Sequence, residues 1–301
     1  MLPWATGEGD HVSTFAPDVL RIEVGSTELG VVRWRGEAGT PLIVAAHGIT
    51  ANAWSWSVVA RHLAGRATLV AVDLRGRGFS HEAPGPFGIR QHADDIAAVV
   101  RRLNASPSVI AGHSMGAFVA LAAAERHPND VTDLVLVDGG APIPAPPGAE
   151  SDEVLDELLG PAMERLRRVW PDRVSYRSMW AEHPALAGLW TPEVERYVLS
   201  DLIECAGGFC SRVDVAAVRQ DGAELLVDDE LRGLLARRSV QTRIVRAVAG
   251  IDGSPPPLIS DDQVARLGQH RWRTVPETNH YSVLIGEAGA AAVADELVAA
   301  D

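Results

Sequence analysis

Short unbroken apolar runs alternate with helical periodicities through the first half of this 301-residue chain. Residues 42–46, 68–72, 108–111 and 134–137 carry few or no polar interruptions, and 31–35 reads as a further strand. A strand buried on both faces shows no polar alternation, because both sets of side chains point into covering layers. Between these runs, 55–63 and 89–103 repeat apolar residues at three- and four-residue spacing, with Ile96, Val99, Val100 and Leu103 on one side of the second. Residues 117–126 form a small, alanine-rich helical stretch. Strand, helix, strand in this rhythm predicts an α/β fold: a mostly parallel central sheet flanked by helices.

After Asp138 the rhythm breaks. A proline-rich exit at 141–147 leads into roughly ninety residues of helical, tryptophan-bearing sequence. A strand pattern returns at 242–248, a capping box at Ser260 to Gln263, a last strand at 272–275 and a final helix at 288–299. The expected organisation is therefore a core of residues 1–140 and 239–301, with a helical cap of residues 141–238 inserted after the sixth strand. Such a cap lies over the C-terminal edge of the sheet, where open α/β sheets bind ligands.

The chemistry is concentrated at Gly112-His113-Ser114-Met115-Gly116, between a predicted strand and a predicted helix. A G-x-S-x-G turn in that setting is a nucleophile elbow. Side chains two positions either side of the serine collide in so sharp a turn, so both places take glycine. The serine also falls at a helix N-terminus, where free N–H groups stabilise negative charge. Its hydroxyl needs a base, and the base needs an orienting carboxylate. His280, in Thr278-Asn279-His280-Tyr281 after the last strand, is the candidate base. For the acid, Asp252 in the loop after strand 242–248 leads, and Asp138, ending the strand after the elbow helix, competes. The backbone N–H groups of Met115 and of Ile49, in His47-Gly48-Ile49-Thr50, are the expected oxyanion hole.

With these residues in view the chain resembles the α/β-hydrolase superfamily. His47-Gly48, the run from Asp73 to Ser80, the Ser114 elbow and the His280 loop occur in that family's order and cover nearly the whole chain. Leu136-Val137-Asp138-Gly139-Gly140 and the proline-rich cap entry also look like bacterial esterases related to monoalkyl phthalate hydrolases. Ser114 argues against relatives that attack carbon with an elbow aspartate. The reaction implied is cleavage of a carboxylic ester through an acyl-enzyme, with no metal or other cofactor. Carbon–carbon bond or lactone hydrolysis on the same triad stays open, as does a non-catalytic small-molecule receptor of this fold.

Composition narrows partners rather than chemistry. The chain has 27 basic and 40 acidic side chains, a formal charge of −13. It has no basic run, which speaks against nucleic acid and anionic membranes. No secretory leader is read at residues 1–10. Cys205 and Cys210 read as ordinary buried thiols, and a cytoplasmic monomer or homodimer is expected. Trp54, His113 and Trp180 are candidates for contact with a small apolar or aromatic ester.

Overall fold

The computed structural model describes residues 16–142, 151–237 and 240–299. The readings at residues 1–10 and over most of the proline-rich exit, 143–147, lie outside the described residues.

Among the described residues, eight strands form one sheet in the order β1-β2-β4-β3-β5-β6-β9-β10. They are β1 (Asp18–Val24), β2 (Thr27–Trp34), β3 (Leu42–Ala46), β4 (Thr68–Val72), β5 (Ser108–His113), β6 (Val131–Val137), β9 (Gln241–Arg246) and β10 (Arg271–Thr274). From β4 through β10 all neighbours pair in parallel, while β1 and β2 form an antiparallel edge. The central strands β3, β4 and β5 are the apolar runs, and Val44, Val70 and Ile110 have no exposed surface.

Helices cover both faces. On one side α2 (Ile89–Arg102) packs against α3 (Met115–Arg126); on the other α1 (Ser57–His62) packs against α12 (Glu287–Leu297). The alanines of α3 let it approach the sheet closely: ten of its twelve residues, Met115 to Ala124, are buried. The helix expected from residue 55 begins as a 3-10 turn at Ala53–Trp56, capped by the Asn52 side chain, and continues as α1.

Between β6 and β9 runs the inserted segment, with α4 (Ser151–Arg167), α5 (Arg173–Ala181), α6 (Pro192–Ser200), α7 (Val215–Val227), α8 (Asp229–Arg232) and α9 (Leu234–Arg237). Two features depart from a purely helical insertion. Residues Leu202–Cys205 (β7) and Gly208–Ser211 (β8) pair as a hairpin, and Cys205 and Cys210 are joined in it as a disulfide. The expected free thiols are thus corrected. Two cysteines five residues apart cannot reveal a bond that depends on the chain folding back between them, and Gly207 and Gly208, both at positive φ, make that turn. The cysteines consequently give no support to a reducing compartment. After β9 come the short α10 (Asp261–Arg266) and, beyond β10, α11 (Ser282–Ile285). No helix among the described residues is long and apolar enough to cross a membrane.

Candidate active site

Ser114 lies between β5 and α3 with φ 55° and ψ −119°, a strained conformation for a residue with a Cβ. The turn is possible because its neighbours have no side chains. A Cβ on Gly112 would come to 2.0 Å from the Gly116 carbonyl oxygen, and one on Gly116 to 2.3 Å from that of Ala46. The Ser114 N–H is held by the Val137 carbonyl at 2.9 Å, tying the elbow to the end of β6.

That same strand end carries Asp138, one of the two candidate acids. Asp138 is fully buried, at φ 45°, and its Oδ2 accepts a hydrogen bond from His280 Nδ1 at 2.7 Å. Its Oδ1 accepts from the Ala247 N–H at 3.1 Å, and its own N–H donates to Val245 O at 2.8 Å. The carboxylate is therefore clamped between β6 and β9. Gly139 follows because a Cβ there would lie 2.2 Å from the Ser114 carbonyl oxygen.

Asp252 is not the partner of His280. It is exposed, and its carboxylate folds back on its own loop, accepting from Ser254 N at 2.9 Å and Ser254 Oγ at 2.7 Å. Those bonds hold its carboxyl below the usual carboxylate range. Its setting is a local Asx turn, which the Asp252-Gly253-Ser254 sequence favours without any triad. The sequence did carry a signal for Asp138: a carboxylate directly ending the apolar run Leu134–Val137 and followed by two glycines.

Two neutral histidines support the site. His113 donates from Nε2 to the backbone carbonyl of His280 at 3.0 Å, and the two rings stack 4.6 Å apart. His113 therefore holds the His280 loop and is not among the residues lining the cavity beside Ser114. His47 donates from Nδ1 to Gly48 O at 2.7 Å and accepts at Nε2 from the Leu74 N–H at 3.1 Å. Burial pushes both imidazoles down to about 3, so both stay uncharged.

The Gly48 carbonyl is pinned by His47 and by the Ala51 N–H at 3.1 Å, so the Ile49 N–H of the same peptide points the opposite way. A Cβ on Gly48 would sit 3.8 Å from Ser114 Oγ, which places that peptide beside the nucleophile. Met115 opens α3, and a first-turn N–H has no acceptor within its own helix. The Ile49 peptide thus lies beside Ser114 and the Met115 N–H follows it directly in the chain, making them the two candidate oxyanion donors.

Beside them is an apolar cavity of about 60 Å³, lined by Ser114, Ile49, Phe118, Leu159, Leu225, Leu226 and Ile259 among others. Trp54 and Trp180 do not line it. Trp54 packs edge-on against Trp34 at 5.9 Å in the core, and Trp180 is wedged between the Arg165 guanidinium at 4.9 Å and the Tyr281 ring at 6.0 Å. Their large apolar faces fill the seam between insertion and core.

Residues 41–169 match the family model of the α/β hydrolase fold. Among relatives, the chain is 34% identical over 118 residues to 2-(acetamidomethylene)succinate hydrolase of Mesorhizobium japonicum, 39% of this chain and 41% of that protein. It is 34% identical over 132 residues to the lipase LipV of Mycobacterium tuberculosis, 44% of this chain and 48% of that one. The chain thus spans less than half the length of these relatives. The crystal structure of E-2-(acetamidomethylene)succinate hydrolase superposes with a TM-score of 0.77 at 23% identity, covering 95% of this chain and all (100%) of that one. A thioesterase domain from the curacin biosynthetic pathway gives 0.69 at 22% identity, over 94% and 100%. The chain has the α/β hydrolase fold, and proteins named as an esterase and a lipase are among those it resembles.

Proposed function

We propose that this protein is a serine hydrolase that cleaves a carboxylic ester of a small apolar substrate through an acyl-enzyme on Ser114. The observation that carries the reading is the strained Ser114 beside a histidine whose Nδ1 is bonded to a buried aspartate at 2.7 Å.

In this reading His280, held in the Nδ1–H tautomer by Asp138, takes the Ser114 proton at Nε2 as the hydroxyl attacks the ester carbonyl. The Ile49 and Met115 N–H groups receive the developing oxyanion. His280 then protonates the leaving alcohol, and water, deprotonated by the same imidazole, releases the acid and restores Ser114. The apolar cavity beside Ser114 suits a short hydrocarbon acyl group, since polar or charged acyl chains would lose their hydration there without a partner. The relatives named as a lipase and as an esterase agree with ester cleavage.

The test is hydrolysis of chromogenic esters from two to about eight acyl carbons, with 2-(acetamidomethylene)succinate alongside because a relative is named for hydrolysing it. Wild type turns over the short esters and Ser114→Ala loses at least about 10³-fold in kcat. Equal turnover by folded Ser114→Ala would overturn the proposal.

A further inference from the structure

Arg77 and Asp221 form an ion pair at 2.6 Å with both side chains wholly buried. Arg77 lies in the loop after β4, and Asp221 in α7 of the insertion. Arg77 Nε donates to the Ile49 carbonyl at 3.1 Å, and Nη1 also donates to Arg75 O at 2.9 Å. Asp221 in turn accepts from the Gly88 N–H at 2.7 Å and from His92 Nε2 at 3.0 Å. Its neighbour Gly222 and, one turn on, Leu225 line the cavity beside Ser114.

We propose that the Arg77–Asp221 pair is a positioning device that fixes the oxyanion loop and joins it to the cap helix lining the acyl cavity. The proposal rests on the serine-hydrolase reading above. Ile49 has a peptide on each side. His47 pins the preceding one through Gly48 O, and Arg77 pins the following one through Ile49 O. With both peptides held, the Ile49 N–H has one direction, as a preorganised oxyanion donor requires. A buried ion pair is a poor source of stability, because desolvation of the two charges offsets most of their attraction. Its contribution here is geometric. Guanidinium donors are fixed in a plane, so a carboxylate anchored on α7 orients the whole fork and with it the Ile49 carbonyl. A displacement of α7 is thereby transmitted to the oxyanion hole through a single side chain.

The test uses the full chain in two variants. Asp221→Asn keeps the side-chain oxygen that accepts from Gly88 but removes the charge that orients Arg77. Because a lone buried guanidinium threatens folding, the second variant combines Arg77→Met with Asp221→Asn and leaves no unpaired charge. Each is assayed for kcat and KM on a short chromogenic ester. Each is also titrated with an alkylboronic acid, whose adduct with a serine places an oxygen in the oxyanion hole. For both variants kcat falls about 10- to 100-fold, KM stays within about threefold, and boronate affinity weakens in step with kcat. A double variant that folds with wild-type kcat and boronate affinity overturns the proposal, since a merely structural pair is relieved by neutral replacement. If wild type neither hydrolyses esters nor binds boronate, the Ser114 reading itself fails and takes this one with it. Boronate binding and turnover by wild type that vanish in Ser114→Ala, with the pair variants unaffected, leave that reading standing and overturn this one alone.

Discussion

Asp138 shows what a single residue's backbone can decide. At φ 45° the chain turns out of β6 so that one carboxylate oxygen meets Ala247 and the other His280. Asp138→Asn should lower kcat on a good ester substrate by about 10³- to 10⁴-fold, because the amide can stabilise the wrong histidine tautomer. Asp252→Asn should leave kcat within about twofold, since its oxygens bond only to Ser254. Ser114 and His280 were legible as candidates because elbow spacing and chain order announce them. The sequence leaves the acid open between two carboxylates, because one ends a strand and the other lies in the loop after a strand, and only the tertiary approach of His280 to Asp138 distinguishes them.

The buried histidines carry a stability signature at the same scale. His47 and His113 sit at about 3 in the folded protein against an ordinary 6.5. Between those values the unfolded chain binds protons that the native protein refuses, so stability falls as pH falls through that window. Asp73 acts in the opposite sense. Burial raises it to about 6 from 3.8, so the native protein holds a proton that the unfolded chain has released. One proton per titrating group is about 1.4 kcal/mol per pH unit. In urea unfolding between about pH 6.5 and pH 5, wild type should therefore lose about 2 kcal/mol more than His113→Gln. Equal losses in the two proteins would contradict the assignment of a neutral, buried His113.

At the scale of elements, the sheet was readable because its strands are buried on both faces and so carry an uninterrupted apolar signal. The β1–β2 edge was read only in part: exposed Arg21 and Glu23 interrupt β1, leaving no such run. The insertion's helices were legible as a region but its hairpin was not, because strands of four residues are too short to show a period. That hairpin gives a separate prediction. Replacing Cys205 and Cys210 together with serine should cost no more than about 2 kcal/mol, as expected for so short a closed loop. Ester turnover should hold, because neither cysteine lines the cavity. A collapse of kcat with the fold retained would show that the hairpin shapes the site.

Across the whole molecule, the insertion is fastened to the core where the site is built. From α7, Asp221 and Glu224 accept the Gly88 and Ile89 N–H groups at the start of α2, at 2.7 and 2.8 Å. Negative charge at a helix N-terminus is favourable, so this docking stabilises α2 while carrying the cavity wall. The cavity opens between that wall and the C-terminal ends of β3, β5 and β6, where the sheet delivers Gly48, Ser114 and Asp138. The place of the site was thus predictable from the topology, whereas its lining was not. The tryptophans that looked like pocket residues fill the seam, while Phe118 of α3 and leucines and isoleucines of α4, α7 and the loop after β9 form the walls.

The most direct test of the account is labelling with a fluorophosphonate followed by mass analysis of the intact protein and its peptides. Wild type should gain a single adduct on the peptide containing Ser114, and His280→Ala should be labelled at least about 10²-fold more slowly. Folded wild-type protein that gains no adduct, or gains it on a peptide without Ser114, would contradict the assignment of Ser114 as a His280-activated nucleophile.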